Sequence, residues 1–309
     1  MTDAPSTQPT AAKGKGTVFA ARLLSTVLLW SVVATIVIIK HPLGFFLVIG
    51  GLALIALREF YAMARTAGIG VFAGFGMLAA ALYCVGLYAA LFLQWQAADG
   101  EVVDQWHVID GLALCVVLFG AFVLQLRQPV RGSQGIVAVA VTALGFVYIV
   151  VLFNFLVRLM FVPPDNADFV AGAMLAVWLV AVTKFTDMGA YLVGTMIGKH
   201  KMIPHISPGK TWQGFGGALV FALLAGVGLY ALMPAKLAIL TGYGHVIFLS
   251  VLLGLFSVVG DLAESLLKRG LDAKDSGKSL PGIGGALDLI DSLCFTAPVL
   301  FFYVVFVLP

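Results

Sequence analysis

The chain has 309 residues, of which 61% are hydrophobic and only 11% charged, with a formal net charge of +3. That balance excludes a water-soluble globular body, since such domains carry roughly 45–50% apolar and about 25% charged residues. It also argues against nucleic acid as a partner, because no basic face interleaved with stacking aromatics stands outside the apolar runs.

Residues 1–16 are polar and read as a disordered cytoplasmic tail. Behind them, apolar runs near the ~20 residues needed to cross a bilayer predict an all-α, polytopic integral membrane protein. Nine spans are expected, at about 18–39, 43–57, 71–94, 109–126, 135–161, 169–187, 213–233, 244–260 and 286–308. The first run resembles a signal sequence but continues without a convincing cleavage site, so it reads as a retained span. The second is short and either tilts or joins the amphipathic stretch REFYAMARTAG. Cys84, Cys115 and Cys294 all fall inside apolar runs, as buried thiols do, with neither a metal-ligand spacing nor a disulfide framework. Residues 17–168 form an N-terminal group of membrane helices, and 169–309 a C-terminal group that carries the chemistry.

Lys and Arg cluster before the first span and after the second, fourth, sixth and eighth, whereas Ala97 to Asp110 holds four acids and no base. With nine spans every basic loop falls on one side, which predicts a cytoplasmic amino terminus and an external carboxy terminus in a bacterial inner membrane. Lys40 and Lys236, each in a short hairpin, break the pattern.

Two polar constellations lie on that basic side. In the first, Lys184 and Asp187 share a helix face. The loop after them offers Lys199, His200, Lys201, His205, Ser207, Lys210 and Thr211 within thirteen residues. Cationic and hydroxyl groups on a short rigid loop suit a polyphosphate. The GxxxxGK[ST] spacing of a Walker loop is absent, and two His five apart do not make a zinc site.

The second constellation is Gly260 to Asp291, with five Asp and one Glu between two apolar runs. A helical continuation of the eighth span would line up Asp261, Ser265 and Lys268 on one face, with Glu264 beside them. Asp288, Asp291 and Ser292 share a face at the start of the ninth span. Pro281-Gly282 and Gly284-Gly285 turn the chain back, so Asp261 is expected opposite Asp288. Such hard oxygen ligands, few in number, favour Mg2+ completed by phosphate and water; a second cation is left open. Lys268, Arg269, Lys274 and Lys278 would neutralise phosphates. A charge placed inside an apolar flank costs ~2.5–3.5 kcal/mol, which a mere solvated hairpin would not explain for Asp288 and Asp291.

Ser265, Lys268, Arg269, Lys274, Asp275, Pro281, Gly282, Gly284, Gly285, Asp288 and Asp291 stand at the spacing of a known pattern. The stretch resembles the signature of phosphatidate cytidylyltransferases, also called CDP-diacylglycerol synthases. Gly260-Asp261, Glu264, Asp187, Gly189-Ala190-Tyr191, Gly198-Lys199, Ser207-Pro208, Lys210-Thr211, Gly214 and Glu59-Phe60-Tyr61 are also similar to that family. Four positions depart from it: Ile283 replaces His, Leu289 replaces Arg, Gln213 stands where Glu is usual, and Gly209 replaces a Lys.

The resemblance implies that CTP and phosphatidate react to give CDP-diacylglycerol and pyrophosphate, with the lipid entering from the cytoplasmic leaflet. Asp261 and Asp288 are then the expected metal ligands, with Asp291 and Ser265 as partners and Lys268 and Arg269 on phosphate oxygens. Asp187, Lys199, Ser207, Lys210, Thr211, Lys274 and Asp275 are expected to contact substrate. A homodimer is compatible with this reading. The rivals are a CTP-dependent polyprenol kinase, a cytidylyltransferase for another lipid phosphate, and a cation-coupled transporter. The transporter would need mid-membrane carboxylates and repeat symmetry, whereas these acids gather at span ends on one side.

Overall fold

The computed structural model describes residues 41–96, 106–162, 169–280 and 284–308. The span expected at 18–39, the turn residues Pro281, Gly282 and Ile283, and most of the two acidic loops lie outside the described residues. Among the described residues, eight helices are long and apolar enough to cross a membrane, and the protein is an all-α, polytopic integral membrane protein.

Helix α1 (Pro42–Thr66) opens with His41 Nδ1 accepting from Leu43 N–H at 3.3 Å and with a proline in its first turn. It runs unbroken for 25 residues, so of the two expected readings the joined one holds: REFYAMART is the last part of the same helix. Helices α2 (Ala73–Gln96) and α3 (Trp106–Leu126) follow. The next span is composite, with α4 (Gln134–Gly145), a π-helical turn (Phe146–Val151), α5 (Leu152–Arg158) and a 3-10 turn (Leu159–Phe161).

Helix α6 (Phe169–Ile197) continues ten residues past the expected end. A small antiparallel hairpin, β1 (Lys201–Ile203) with β2 (Ser207–Thr211), pairs Lys201 with Thr211 and Ile203 with Ser207. It replaces the loop expected there and leads directly into α7 (Trp212–Leu232). Helix α8 (Tyr243–Gly270) extends the eighth span helically through the acidic residues, and α9 (Ala286–Val307) completes the fold.

Helices α6 and α8, 29 and 28 residues long, measure about 42–44 Å at ~1.5 Å per residue. The hydrocarbon layer is only about 30 Å thick. Both must therefore project beyond it, and their last turns carry the polar residues of the site.

Without water in the membrane interior, polar groups have to satisfy one another. Trp178 on α6 donates its indole N–H to Gly226 O on α7 at 3.0 Å. Tyr88 on α2 donates to Asn154 on α5 at 2.6 Å. Arg158 donates to Asp110 on α3 at 2.8 Å and to the Tyr83 hydroxyl at 2.7 Å. Each bond ties one helix to another inside an apolar core of residues such as Phe146, Ile149, Leu175 and Leu179.

Candidate active site

Helix α8 packs against the first turns of α9 at Gly260, where an added Cβ would come within 2.9 Å of Ser292 Cα and 3.0 Å of Asp291 O. That backbone-to-backbone approach sets Asp261 and Glu264, three residues apart on α8, beside Asp291 on α9. Carboxylate oxygens of Asp261, Glu264 and Asp291 all lie within 4.8 Å of one another. Glu264 is 1% exposed and its Oε1 has no hydrogen-bond partner.

Of the two expected ligands, Asp261 belongs to this group and Asp288 stands beside it, next to Glu264 and Lys268. Asp261 meets Glu264 and Asp291, while Asp288 accepts from Lys268 Nζ at 2.9 Å and from its own Gly285 N–H at 3.1 Å. The physical reason lies in helical phase. Asp288 is at the N-terminal end of α9, where its side chain turns back to cap the helix. Asp291, one turn deeper, faces α8.

Lysines bind this acidic group from two directions. Lys268 bridges Glu264 Oε2 at 2.6 Å and Asp288 Oδ1 at 2.9 Å. Lys210, on the β2 strand, reaches Asp261 Oδ2 at 2.9 Å. On α6, Asp187 accepts from Ser257 Oγ of α8 at 3.2 Å and lies 3.5 Å from Lys184 Nζ. Lys184 also donates to the backbone carbonyl of Leu289 at 2.9 Å. Five carboxylates thus face three ammonium groups. Fully ionised, the cluster carries surplus negative charge in a partly buried setting, which a bound cation would offset. Hard carboxylate oxygens with an orphaned, buried Glu264 Oε1 among them fit Mg2+.

A cavity of about 310 Å³ opens beside Asp261, lined by Asp187, Tyr191, Ser207, Lys210, Thr211 and Phe215 among others. It joins the two constellations that the sequence presents separately. Thr211 is largely committed to structure, since its Oγ1 accepts the Gly214 N–H at 3.1 Å and caps α7. Gln213 has a structural task too. Its Oε1 accepts from the Lys199 and His200 amides at 3.2 Å, and its Nε2 lies 2.8 Å from His200 Nδ1, closing the base of the hairpin.

The remaining expected residues spread outward. Ser265 is half-buried one turn beyond Asp261. Arg269 is exposed and donates to Ala273 O at 3.2 Å rather than pointing at the carboxylates. Lys199, Lys274 and Asp275 are exposed.

Four residues have contacts that the sequence reading did not supply. Glu264 was seen as a neighbour of the expected face but is central to the carboxylate group. Lys184 reaches the main chain at the Leu289 position. Tyr148, on the π-helical turn, is buried with its hydroxyl unpaired and its ring edge-on to Phe295 of α9 at 6.0 Å. Glu59 of α1 reaches the start of α9. Glu59 and Glu264 gave a signal through their likeness to the family and Lys184 through its helix face shared with Asp187, whereas Tyr148 gave none.

A model of the Cytidylyltransferase family matches residues 20–307. Phosphatidate cytidylyltransferase of Bacillus subtilis is 34% identical over 62% of this chain and 69% of its own length. Phosphatidate cytidylyltransferase of Staphylococcus haemolyticus is 31% identical over 81% and 85%. The uncharacterized protein YnbB of Escherichia coli is 30% identical over 75% and 77%.

Proposed function

The chain belongs to the cytidylyltransferase family, and from that premise we propose that it transfers CMP from CTP to phosphatidate, giving CDP-diacylglycerol and pyrophosphate. What carries the reading is the meeting of Asp261, Glu264 and Asp291 with Lys210 and Lys268 at the mouth of a cavity next to the membrane.

The chemistry asks little of a general base, because a phosphate monoester is already an anionic nucleophile near neutral pH. One phosphatidate oxygen forms a bond to the α-phosphorus of CTP as the bond from that phosphorus to pyrophosphate breaks. The difficulty is repulsion between two polyanions, so positioning and electrostatic stabilisation carry the rate. Asp261, Glu264 and Asp291 would hold Mg2+, which when bound supplies positive charge to the triphosphate.

Lys210 and Asp261 both line the cavity, so the ammonium is placed to pass from carboxylate to nucleotide phosphate. Lys268 does the same on the α9 side, held ready by Glu264 and Asp288. Asp288 is a positioning residue, fixing Lys268 and the first turn of α9. Ser207 and Asp187 line the nucleotide cavity, and the lipid phosphate enters sideways from the cytoplasmic leaflet with its acyl chains still in the bilayer.

Purified protein with Mg2+, phosphatidate and CTP labelled at either the α- or the γ-phosphate tests the reaction. Label from the α-position should enter the lipid. Transfer of the γ-label would indicate a kinase, and no labelled lipid would overturn the assignment.

A further inference from the structure

We propose that Glu59, on the N-terminal helix α1, is a positioning residue that latches the loop between α8 and α9, a role that rests on the reaction proposed above. Glu59 lies seven residues before the end of α1 and is only 6% exposed. Its Oε2 accepts the Leu287 N–H at 3.0 Å and the Ser276 hydroxyl at 3.4 Å. One carboxylate thus ties the middle of the loop to the first turn of α9. Leu287 is the second residue of α9, whose amide has no partner within the helix. The negative charge also sits at the positive end of the α9 dipole.

The loop backbone is moulded onto this carboxylate. A Cβ at Gly277 would lie 2.5 Å from Glu59 Cδ, and one at Gly285 would lie 2.8 Å from Glu59 Oε2. Between these contacts, Leu280 and Gly284 exchange two backbone hydrogen bonds of 3.0 Å. Gly277 is therefore a glycine because the α1 carboxylate occupies the space its side chain would need, and at Gly285 that space is taken first by the Ser276 hydroxyl and then by Glu59.

The connection to chemistry is short. Asp288 follows Leu287 directly, and Asp291 lies one turn further on. A shift in the first turn of α9 would move both relative to Asp261 and Glu264. Displacements of about 1 Å in such a constellation can cost ~10²-fold in rate. A purely structural plug would be served better by an apolar residue, because a buried carboxylate is expensive to desolvate. Here Oε1 is buried without a hydrogen-bond partner, so the charge is retained at a cost and works through Leu287 and Ser276.

The experiment compares wild type, Glu59→Gln, Glu59→Ala, Gly277→Ala and the Glu59→Ala/Gly277→Ala double variant, each checked for folding by thermal unfolding in detergent. Glu59→Gln should lower kcat about tenfold or more while the KM for CTP stays within about threefold, as expected of displaced rather than deleted groups. The double variant should be no worse than Glu59→Ala alone, because removing the carboxylate frees the space that a Cβ at Gly277 needs. Unchanged kcat in Glu59→Gln, or losses that multiply in the double variant, would overturn the proposal. Should Glu59→Gln not fold, Ser276→Ala removes one donor and is expected to lower kcat about threefold.

A readout independent of activity is tryptic cleavage after Lys274 and Lys278, which should be about fivefold faster in Glu59→Gln as the loop opens more often. Equal cleavage overturns the latch. Faster cleavage in a protein whose wild type makes no CDP-lipid keeps the latch and overturns the reaction instead.

Discussion

Glu264 brings together burial, an orphaned oxygen and a lysine partner, and these decide what a single substitution there should do. Glu264→Gln keeps the shape but removes a charge from the carboxylate group, so pyrophosphate release should fall by about 10²-fold and need more Mg2+ for half-maximal rate. Activity with an unchanged Mg2+ dependence would remove Glu264 from the cation site. Lys210→Met separates the two roles of its ammonium. It should raise the KM for CTP about tenfold through loss of a phosphate contact, and a KM equal to wild type would confine Lys210 to its bond with Asp261. The residue types needed for this chemistry were legible in the sequence, but their partners were not. Asp288 attracted attention because it opens an apolar span, yet capping geometry turns it toward Gly285 and Lys268.

Elements set which of those side chains can act together. The hairpin β1–β2 delivers Lys210 to Asp261 because Gln213 and Thr211 fix its junction with α7. Thr211→Ala should remove the helix cap at a cost of about 1 kcal/mol, with Thr211→Ser restoring it. Thermal unfolding measures that difference, and an unaltered midpoint in Thr211→Ala would show that the cap contributes nothing. The N-terminal helices depend on another device, the pairing of Arg158 with Asp110 and Tyr83. Asp110→Ala removes a charge-assisted bond from a 2% exposed arginine, so stability should drop by about 1.5–3 kcal/mol, again read by unfolding in detergent. Apolar run lengths announced the helices themselves. The extension of α1 through REFYAMART was less visible, because packing of its buried Glu59, Phe60 and Tyr61 against later helices decides it.

For the whole molecule, the site requires that the ends of α6 and α8 and the starts of α7 and α9 share one face of the membrane, and that α1 bring Glu59 to the same face. The distribution of Lys and Arg predicts a cytoplasmic position for that face. A cysteine introduced as Lys201→Cys should react with a membrane-impermeant maleimide in inverted inner-membrane vesicles and stay protected in sealed, right-side-out ones. The opposite pattern would reverse the orientation.

By itself, the sequence determined that this is a membrane protein of long helices with two polar constellations, and it pointed to a family through the spacing from Ser265 to Asp291. Run length and charge placement are local properties, so they survive without coordinates. Only the tertiary structure decided which acids meet. Gly260 brings α8 and α9 close enough to join Asp261 and Glu264 to Asp291. Glu59, more than two hundred residues away in sequence, fixes the start of α9. Both depend on distances between helices, which follow from packing and cannot be read along a single chain.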